Sequence, residues 1–521
     1  MKQREKGLLY VMVTAMAVGL TWIIVDGVMS PKQKTAILSP VESSKKTAPV
    51  ADRRPHSVAF HGREITDEYA WLKDESYPEV DDEDVLDYLN AENAWFEHVM
   101  GGHEPLVEEL FGELKARIKQ DDASVPVRDG PFLYSWRFEK GAEYRTWLRS
   151  PVEGGKEEVL LDEPTRAKDT EFYRLGGFKV SPDHKLAALS EDMDGSERFT
   201  MMVKDLETGK MLEDEIPQTI GAAAWASDSS GFAYVLLDEN WRTYVARFHV
   251  LGTPVENDLT LYEESDPGFF VGLKRTQSRA FIVISTGDNI TTEARLLPAG
   301  EPTSRPVLVA ARKQGHEYYV DHAGETLFIR TNDTHPNFRV VTAPQDDPVQ
   351  ESWKELLPPS DERYYTGLMA LAGHLVIQER IDGLDQILIR THGGEEHHVP
   401  FTEPAYAAYL GDTREFVTDA FRIGYESMVT PLTIYDYGIA ERTLTTRKVQ
   451  EIPSGYDASD YASERLMATA RDGTRIPVTV LYRKGFEKNG KGLLHLYGYG
   501  AYGYGMDPGF STSRLSLVDR G

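Results

Sequence analysis

The sequence contains no cysteine, which excludes disulfides, thiolate zinc sites, iron–sulfur clusters and a cysteine nucleophile together. It is also short of positive charge: 57 Lys and Arg stand against 84 Asp and Glu, for a formal net charge of −27. That is the wrong sign for holding a polyanion by counterion release, so nucleic acid is not expected as a partner. The same field either concentrates cationic ligands or simply keeps an acidic surface solvated.

Several catalytic signatures are missing as well. There is no G-x-S-x-G, the strand-to-helix turn that exposes a nucleophilic serine; the nearest stretch, Gly509-Phe510-Ser511-Thr512-Ser513, lacks the second glycine. H-E-x-x-H is absent, because His103-Glu104 and His316-Glu317 have no second histidine. His397-His398 falls in a polar GGEEHHVP stretch and reads as a solvated loop rather than a ligand pair. No Walker A sequence occurs, and the glycines of YGYGAYGYG do not follow dinucleotide spacing. No metal and no cofactor is expected.

What is present begins with an apolar run, Gly7 to Val25, preceded by Lys2, Arg4 and Lys6 and stopped by Asp26. At about 1.5 Å per residue such a run spans the roughly 30 Å hydrocarbon core of a bilayer. Residues 1–26 therefore read as an uncleaved signal anchor, with a signal peptide as the alternative that its length and poor cleavage site disfavour. The basic flank leaves the tip in the cytoplasm and exports the remainder, although Lys32, Lys34, Lys45 and Lys46 weaken that orientation. The expected location is the cell envelope. Residues 27–52, rich in Ser, Thr, Pro, Lys and Ala, read as a flexible linker.

The length of 521 residues suggests two to four domains at about 150 residues each. Within 53–125 the pattern is helical, around DVLDYLNAENAWFEHVM and PLVEELFGELKARI, where Leu106, Leu110 and Leu114 recur every four residues and Pro105 suits a first turn. Over 126–450 it changes to short alternating strands separated by turn anchors: Asp129-Gly130, Ser181-Pro182-Asp183, Ser227 to Gly231, Gln277-Ser278, Ala323-Gly324, Ala372-Gly373 and Gly411-Asp412. The seven units average about 46 residues, near the period of a four-stranded blade, and predict a seven-bladed β-propeller; a pair of β-sandwiches is the alternative.

Residues 451–521 change again. ERLMATARDGTRIPVTVLYRK reads as two strands around Asp472-Gly473, and GLLHLYGYGAYGYG as a buried strand entering a loop rich in glycine and tyrosine. Tyr497, Tyr499, Tyr502 and Tyr504 have two readings: packing against the propeller, or a hydroxyl donated to a developing oxyanion. A sheet just begun at SLVDRG lacks its later strands and covering helices, so the 521 residues are expected to be a fragment of a longer protein.

The stretches RPHSVAFHGREITDEYAWLKD, LGGFKVSPDHKLAALSEDMDGSE, RIGYESMVTPLTIYDY, LHLYGYGAYG and RLSLVDRG occur in the order found in one group of enzymes. From Arg54 to Gly521 the chain resembles the prolyl oligopeptidase family of serine peptidases, most of all its oligopeptidase B branch. The resemblance implies a seven-bladed β-propeller with an α/β-hydrolase domain, to which 53–125 and 451–521 contribute. It implies cleavage of short, basic peptides after Arg or Lys by a Ser, Asp, His triad through an acyl-enzyme. On the same resemblance Tyr499 is the oxyanion donor, Tyr502 lines the pocket, and Asp507 is the first of two acids that hold a basic substrate residue. The second of those acids falls on Gly509. The triad is not in these residues, which leaves a non-catalytic, membrane-tethered propeller that binds peptides or a partner protein as the alternative function.

Overall fold

A computed structural model describes residues 47–76 and 80–521. The apolar run Gly7 to Val25 and most of the linker lie outside the described residues.

The chain opens with an exposed hairpin, His56–Phe60 on Arg63–Asp67, closed by His61 and Gly62, which both have positive φ. Two positive φ values in a two-residue loop match the right-handed twist of the flanking strands. Two helices follow as the sequence predicts. Glu83–Met100 starts where Asp82 accepts hydrogen bonds from the backbone N–H groups of Asp84 and Val85, and Glu83 and Asp84 sit favourably in its first turn. Glu104–Ala116 carries Pro105 in its first turn, where the missing N–H costs nothing.

Antiparallel sheets fill the stretch from Val127 to Val449, and each of the seven turn anchors lies between two paired strands. The count of blades differs from the expectation. Five four-stranded blades are present, not seven: Val127–Asp129 to Glu158–Asp162, Phe270–Arg275 to Val307–Ala310, Tyr318–Ala323 to Lys354–Leu357, Arg363–Ala370 to Glu396–His398, and Ala407–Leu410 to Thr443–Val449. The stretch from Arg174–Val180 to Leu259–Glu263 is one seven-stranded sheet. Its middle strand, Met211–Trp225, pairs through its first part with Phe199–Asp205 and through its second with Gly231–Leu237. Gln218 and Gly221, both at positive φ, bend this strand without ending it. Turn spacing locates turns, and it says nothing about a strand that continues through a bulge.

The predicted α/β-hydrolase portion is also corrected. After Val449 the described chain forms the hairpin Tyr461–Thr469 with Arg475–Arg483 and the short helix Thr512–Val518, with no parallel sheet. The expected buried strand over GLLHLYGYG is absent: residues 491–500 have no strand partner, and Leu493 is 78% exposed. A strand without a neighbour leaves its backbone groups to water.

The core lies between sheets rather than within them. One apolar cluster joins Val283, Leu296 and Val309 of one blade to Tyr318, Leu327 and Ile329 of the next. Another joins Val340 and Leu357 to Leu375 and Ile377, and a third joins Ile387 and Ile389 to Phe421 and Ile423. The first and last blades meet through polar contacts: Lys448 Nζ donates to Asp122 Oδ1 at 2.6 Å, and Gly130 N–H to Glu415 at 2.7 Å. Between them lies a cavity of about 650 Å³ lined by Trp136, Trp147, Phe178, Tyr409 and Lys448 among others.

At one end of the propeller the turn anchors bond to each other. Arg279 donates to Asp129 at 2.7 Å, and the Gln277 side chain to the Thr413 carbonyl at 2.8 Å. The opposite strand ends are left to meet the C-terminal segment: Arg380 lies at the far end of His374–Ile381, and Glu426 closes Ala420–Glu426.

One buried charge cluster belongs to the seven-stranded sheet. His249, 0% exposed, places Nδ1 at 2.8 Å from Asp258 and Nε2 at 2.9 Å from Asp214, and Tyr234 O–H donates to Asp258 at 2.8 Å. Burial alone would lower the His249 pKa, but the hydrogen bonds and charges of the two carboxylates together raise it. A raised folded-state pKa contributes stability that is full below the unfolded value of about 6.5 and is lost as pH rises through the folded value. His249→Leu is expected to cost about 3–5 kcal/mol at pH 6 by stranding the two carboxylates. Chemical denaturation of both proteins should show the pH-dependent part of wild-type stability disappearing in the variant.

Candidate active-site segment

The segment is held from both sides. On one side Tyr461, first residue of the hairpin, donates its hydroxyl to Asp519 Oδ1 at 2.8 Å. On the other, Arg520 donates to Glu113 and Glu109 of the helix Glu104–Ala116, and Arg117 donates to the Thr512 carbonyl at 2.9 Å. Glu113 is thereby held below the usual carboxylate range, chiefly by the Arg520 hydrogen bond. The helix pattern at 104–116 thus finds its polar partner about 400 residues later, in the helix Thr512–Val518.

Ser511 caps that C-terminal helix, accepting from the Arg514 N–H at 3.4 Å and sharing a hydroxyl–hydroxyl bond with Ser513 at 2.9 Å. Among the described residues Ser511 bonds no histidine, so the serine of the nearest G-x-S-like stretch serves as a helix cap.

Between hairpin and helix runs the tyrosine and glycine loop. Tyr499 is half exposed, at 52%, and its hydroxyl has no hydrogen-bond partner among the described residues. Tyr497 and Tyr504 are exposed as well, so none of the three packs into the propeller core. Tyr502 occupies the 3-10 turn Ala501–Gly503. Asp507 reaches the propeller: Arg380 Nη2 donates to its Oδ1 at 2.7 Å and to Asp385 Oδ1 at 2.8 Å. Asp385 is buried, which raises its pKa against the pull of Arg380. Burial lowers the Arg380 pKa, while Asp385 and then Asp507 more than restore it.

Two residues further on, the Phe510 N–H donates to Glu426 Oε2 at 3.0 Å, and Arg514 Nη1 donates to the Gly509 carbonyl at 2.7 Å. The structure brings Asp507 and Gly509 to one end of the propeller, while Tyr499 stands free in the loop. Arg380, Asp385, Glu426 and Arg514 carry no sequence signal of a site. The first three belong to propeller strands at least 80 residues earlier, and only folding sets them against the loop.

The histidine motifs serve structural ends. His316 Nε2 bonds the Thr331 hydroxyl at 2.9 Å, His397 the Tyr437 hydroxyl at 3.1 Å, and His398 Glu379 at 2.7 Å. The solvated loop expected at His397-His398 is instead the strand Glu396–His398, paired with Leu388 to Arg390. Among the described residues no group of three His, Cys, Asp or Glu side chains is placed to hold a metal ion.

Comparison with known proteins agrees with this architecture. The family model described as prolyl oligopeptidase, N-terminal beta-propeller domain, matches residues 49–450. The dipeptidyl aminopeptidase BI of Pseudoxanthomonas mexicana is 38% identical over 94% of this chain and 69% of its own length. Protease 2 of Moraxella lacunata is 31% identical over 91% of this chain and 69% of its own. Among solved structures, oligopeptidase B from Leishmania major superposes with a TM-score of 0.83 at 29% identity, covering 91% of this chain and 70% of that one. Oligopeptidase B from Trypanosoma brucei, in a closed form with covalently bound antipain, gives 0.82 at 27% identity over the same shares. With a family model over most of its length and relatives above 30% identity over two thirds of theirs, the chain belongs to the prolyl oligopeptidase family of serine peptidases.

Proposed function

We propose that this protein is a serine oligopeptidase that cleaves short peptides after Arg or Lys. The observation that carries the reading is the free Tyr499 hydroxyl, on a loop tied to the propeller through Arg380 and Asp507 and through Glu426 and the Phe510 N–H. Similarity to a dipeptidyl aminopeptidase and a protease supports peptide hydrolysis. The net charge of −27 supports cationic peptides over anionic ones.

In this reading the nucleophilic serine, with its histidine and aspartate, is supplied by a segment following Gly521, since no G-x-S-x-G occurs in the 521 residues. The serine oxygen adds to the scissile carbonyl carbon while histidine takes its proton; the same proton then passes to the leaving amine as the C–N bond breaks. Tyr499 donates its hydroxyl to the oxygen that becomes negative during that addition. Tyr502 borders the pocket, and Asp507 with its Arg380 partner sets the charge beside it. The propeller stands over the site and limits substrates to peptides that pass it. The run Gly7 to Val25 tethers the enzyme in the cell envelope or exports it, which fractionation of the native cells checks.

The natural protein is expected to hydrolyse Arg- and Lys-containing reporter peptides, to be inactivated by serine-directed phosphonylating reagents and to ignore chelators. Inhibition by chelators alone would refute a serine mechanism. Tyr499→Phe is expected to lower kcat by about 10²–10³-fold with KM nearly unchanged, because an oxyanion donor acts mainly in the transition state. An unchanged kcat would remove Tyr499 from that role.

A further inference from the structure

We propose that Glu426, a propeller side chain, is a specificity-determining carboxylate that receives a protonated nitrogen of the peptide at the Gly509 end of the loop. The proposal rests on the peptidase reading above.

Glu426 ends the strand Ala420–Glu426, whose residues Phe421, Ile423 and Tyr425 are buried. Its Oε2 is occupied by the Phe510 N–H, while Oε1 has no hydrogen-bond partner among the described residues. A Cβ built on Gly509 would lie 2.7 Å from Oε1 and 3.1 Å from Cδ of Glu426. The propeller carboxylate therefore occupies the space that a side chain at position 509 would enter, and such a side chain would require the end of the Glu426 side chain to move aside. The φ of Gly509 is not in the left-handed region, so backbone conformation does not demand glycine here. With Glu426 where it stands, glycine is the residue that fits without displacing the carboxylate.

The charges at this junction do not cancel. Asp385, Asp507 and Glu426 face Arg380 and Arg514, three carboxylates to two guanidinium groups. Arg380 is shared between Asp385 and Asp507 at 2.8 and 2.7 Å. Arg514 spends Nη1 on the Gly509 carbonyl, and no salt bridge between it and Glu426 is found among the described residues. One negative charge is left over, and it falls on the carboxylate whose Oε1 is open. Burial, with the Asp507 charge adding to it, lifts the Glu426 pKa above the usual carboxylate range despite the Phe510 N–H and Arg514. A bound cation relieves both penalties, and that difference is what favours a protonated ligand over a neutral isostere. Two groups of a peptide carry this chemistry, a Lys or Arg side chain and a free α-ammonium.

The experiment uses the natural protein and Glu426→Gln, which keeps an acceptor for the Phe510 N–H and removes the charge. Peptides containing Arg are compared with citrulline isosteres, each with a free and an acetylated amino terminus. The variant is expected to lose about 10- to 100-fold in kcat/KM on protonated peptides and to be unchanged on neutral ones, the range for a hydrogen bond to a charged group. A loss that follows citrulline assigns the side chain; one that follows acetylation assigns the α-ammonium. Equal loss on every peptide would give Glu426 a structural role only, and no loss would give it none; either overturns the proposal. Gly509→Asp combined with Glu426→Ser is expected to restore cation preference by moving the carboxylate to the loop. If the natural protein hydrolyses no peptide, the peptidase reading fails, and calorimetric binding of the Arg peptide still reads Glu426: affinity about tenfold weaker in Glu426→Gln upholds cation recognition, and equal affinity overturns it.

Discussion

The fold depends on stacking sheets face against face. A sheet such as Tyr318–Ala323 to Lys354–Leu357 contributes Val320, Leu327, Ile329 and Val341 to one cluster and Phe328, Val340 and Leu357 to another, so both of its faces are apolar. At roughly 25 cal/mol per Å² of apolar surface removed from water, leaving either face exposed would forgo the whole gain of burying it. Each sheet therefore needs a neighbour on both sides, and a succession of such sheets brings the first and last blades together. Their junction is of a different kind, made by Lys448, Asp122, Gly130 and Glu415 around a cavity, because the strand pairing that unites each blade internally does not cross it among the described residues.

That geometry creates two unlike ends. At one, the turn anchors satisfy one another through Arg279, Asp129 and Gln277. At the other, Arg380, already paired with Asp385 across its hairpin, and Glu426 sit at strand termini with hydrogen-bonding capacity to spare, and the C-terminal loop settles on them. The loop has few apolar contacts of its own, with Leu493 and Leu494 exposed. Its position relative to the propeller is accordingly set by charge-assisted hydrogen bonds, which fix direction as well as distance.

Local features were legible in the sequence wherever a short-range rule governs them. The turn anchors, the helix around 104–116 with Pro105 in its first turn, and the Asp472-Gly473 hairpin all follow from backbone preference and periodicity over a few residues. The blade count was not legible, because turn spacing does not show that the strand Met211–Trp225 continues through the bend at Gln218 and Gly221 and joins its neighbours into one sheet. The strand at GLLHLYGYG failed for another reason: apolar alternation shows that a segment can pair, and pairing also needs a partner edge. For the candidate site, the loop tyrosines and Asp507 could be named from the motif that carries them. Arg380, Asp385 and Glu426 could not, since their relation to the loop spans 80 residues or more and exists only after the blades have stacked.

This division has a consequence for how charge recognition is built. A loop that carried its own second carboxylate would keep that charge wherever the loop moved. Here the carboxylate at Gly509 belongs to the propeller, so the surplus negative charge stays on the strand ends, and the C-terminal segment, whose Asp507 and Arg514 offset each other, adds no net charge when it settles there. Recognition of a cation and seating of the loop are linked only by what the seated loop changes at Glu426: a ligand favours the seated arrangement by the difference in its interaction free energy between the two arrangements. The same contact that orients Phe510 also presents the charge, so the two roles share one side chain, which occupies the space beside Gly509.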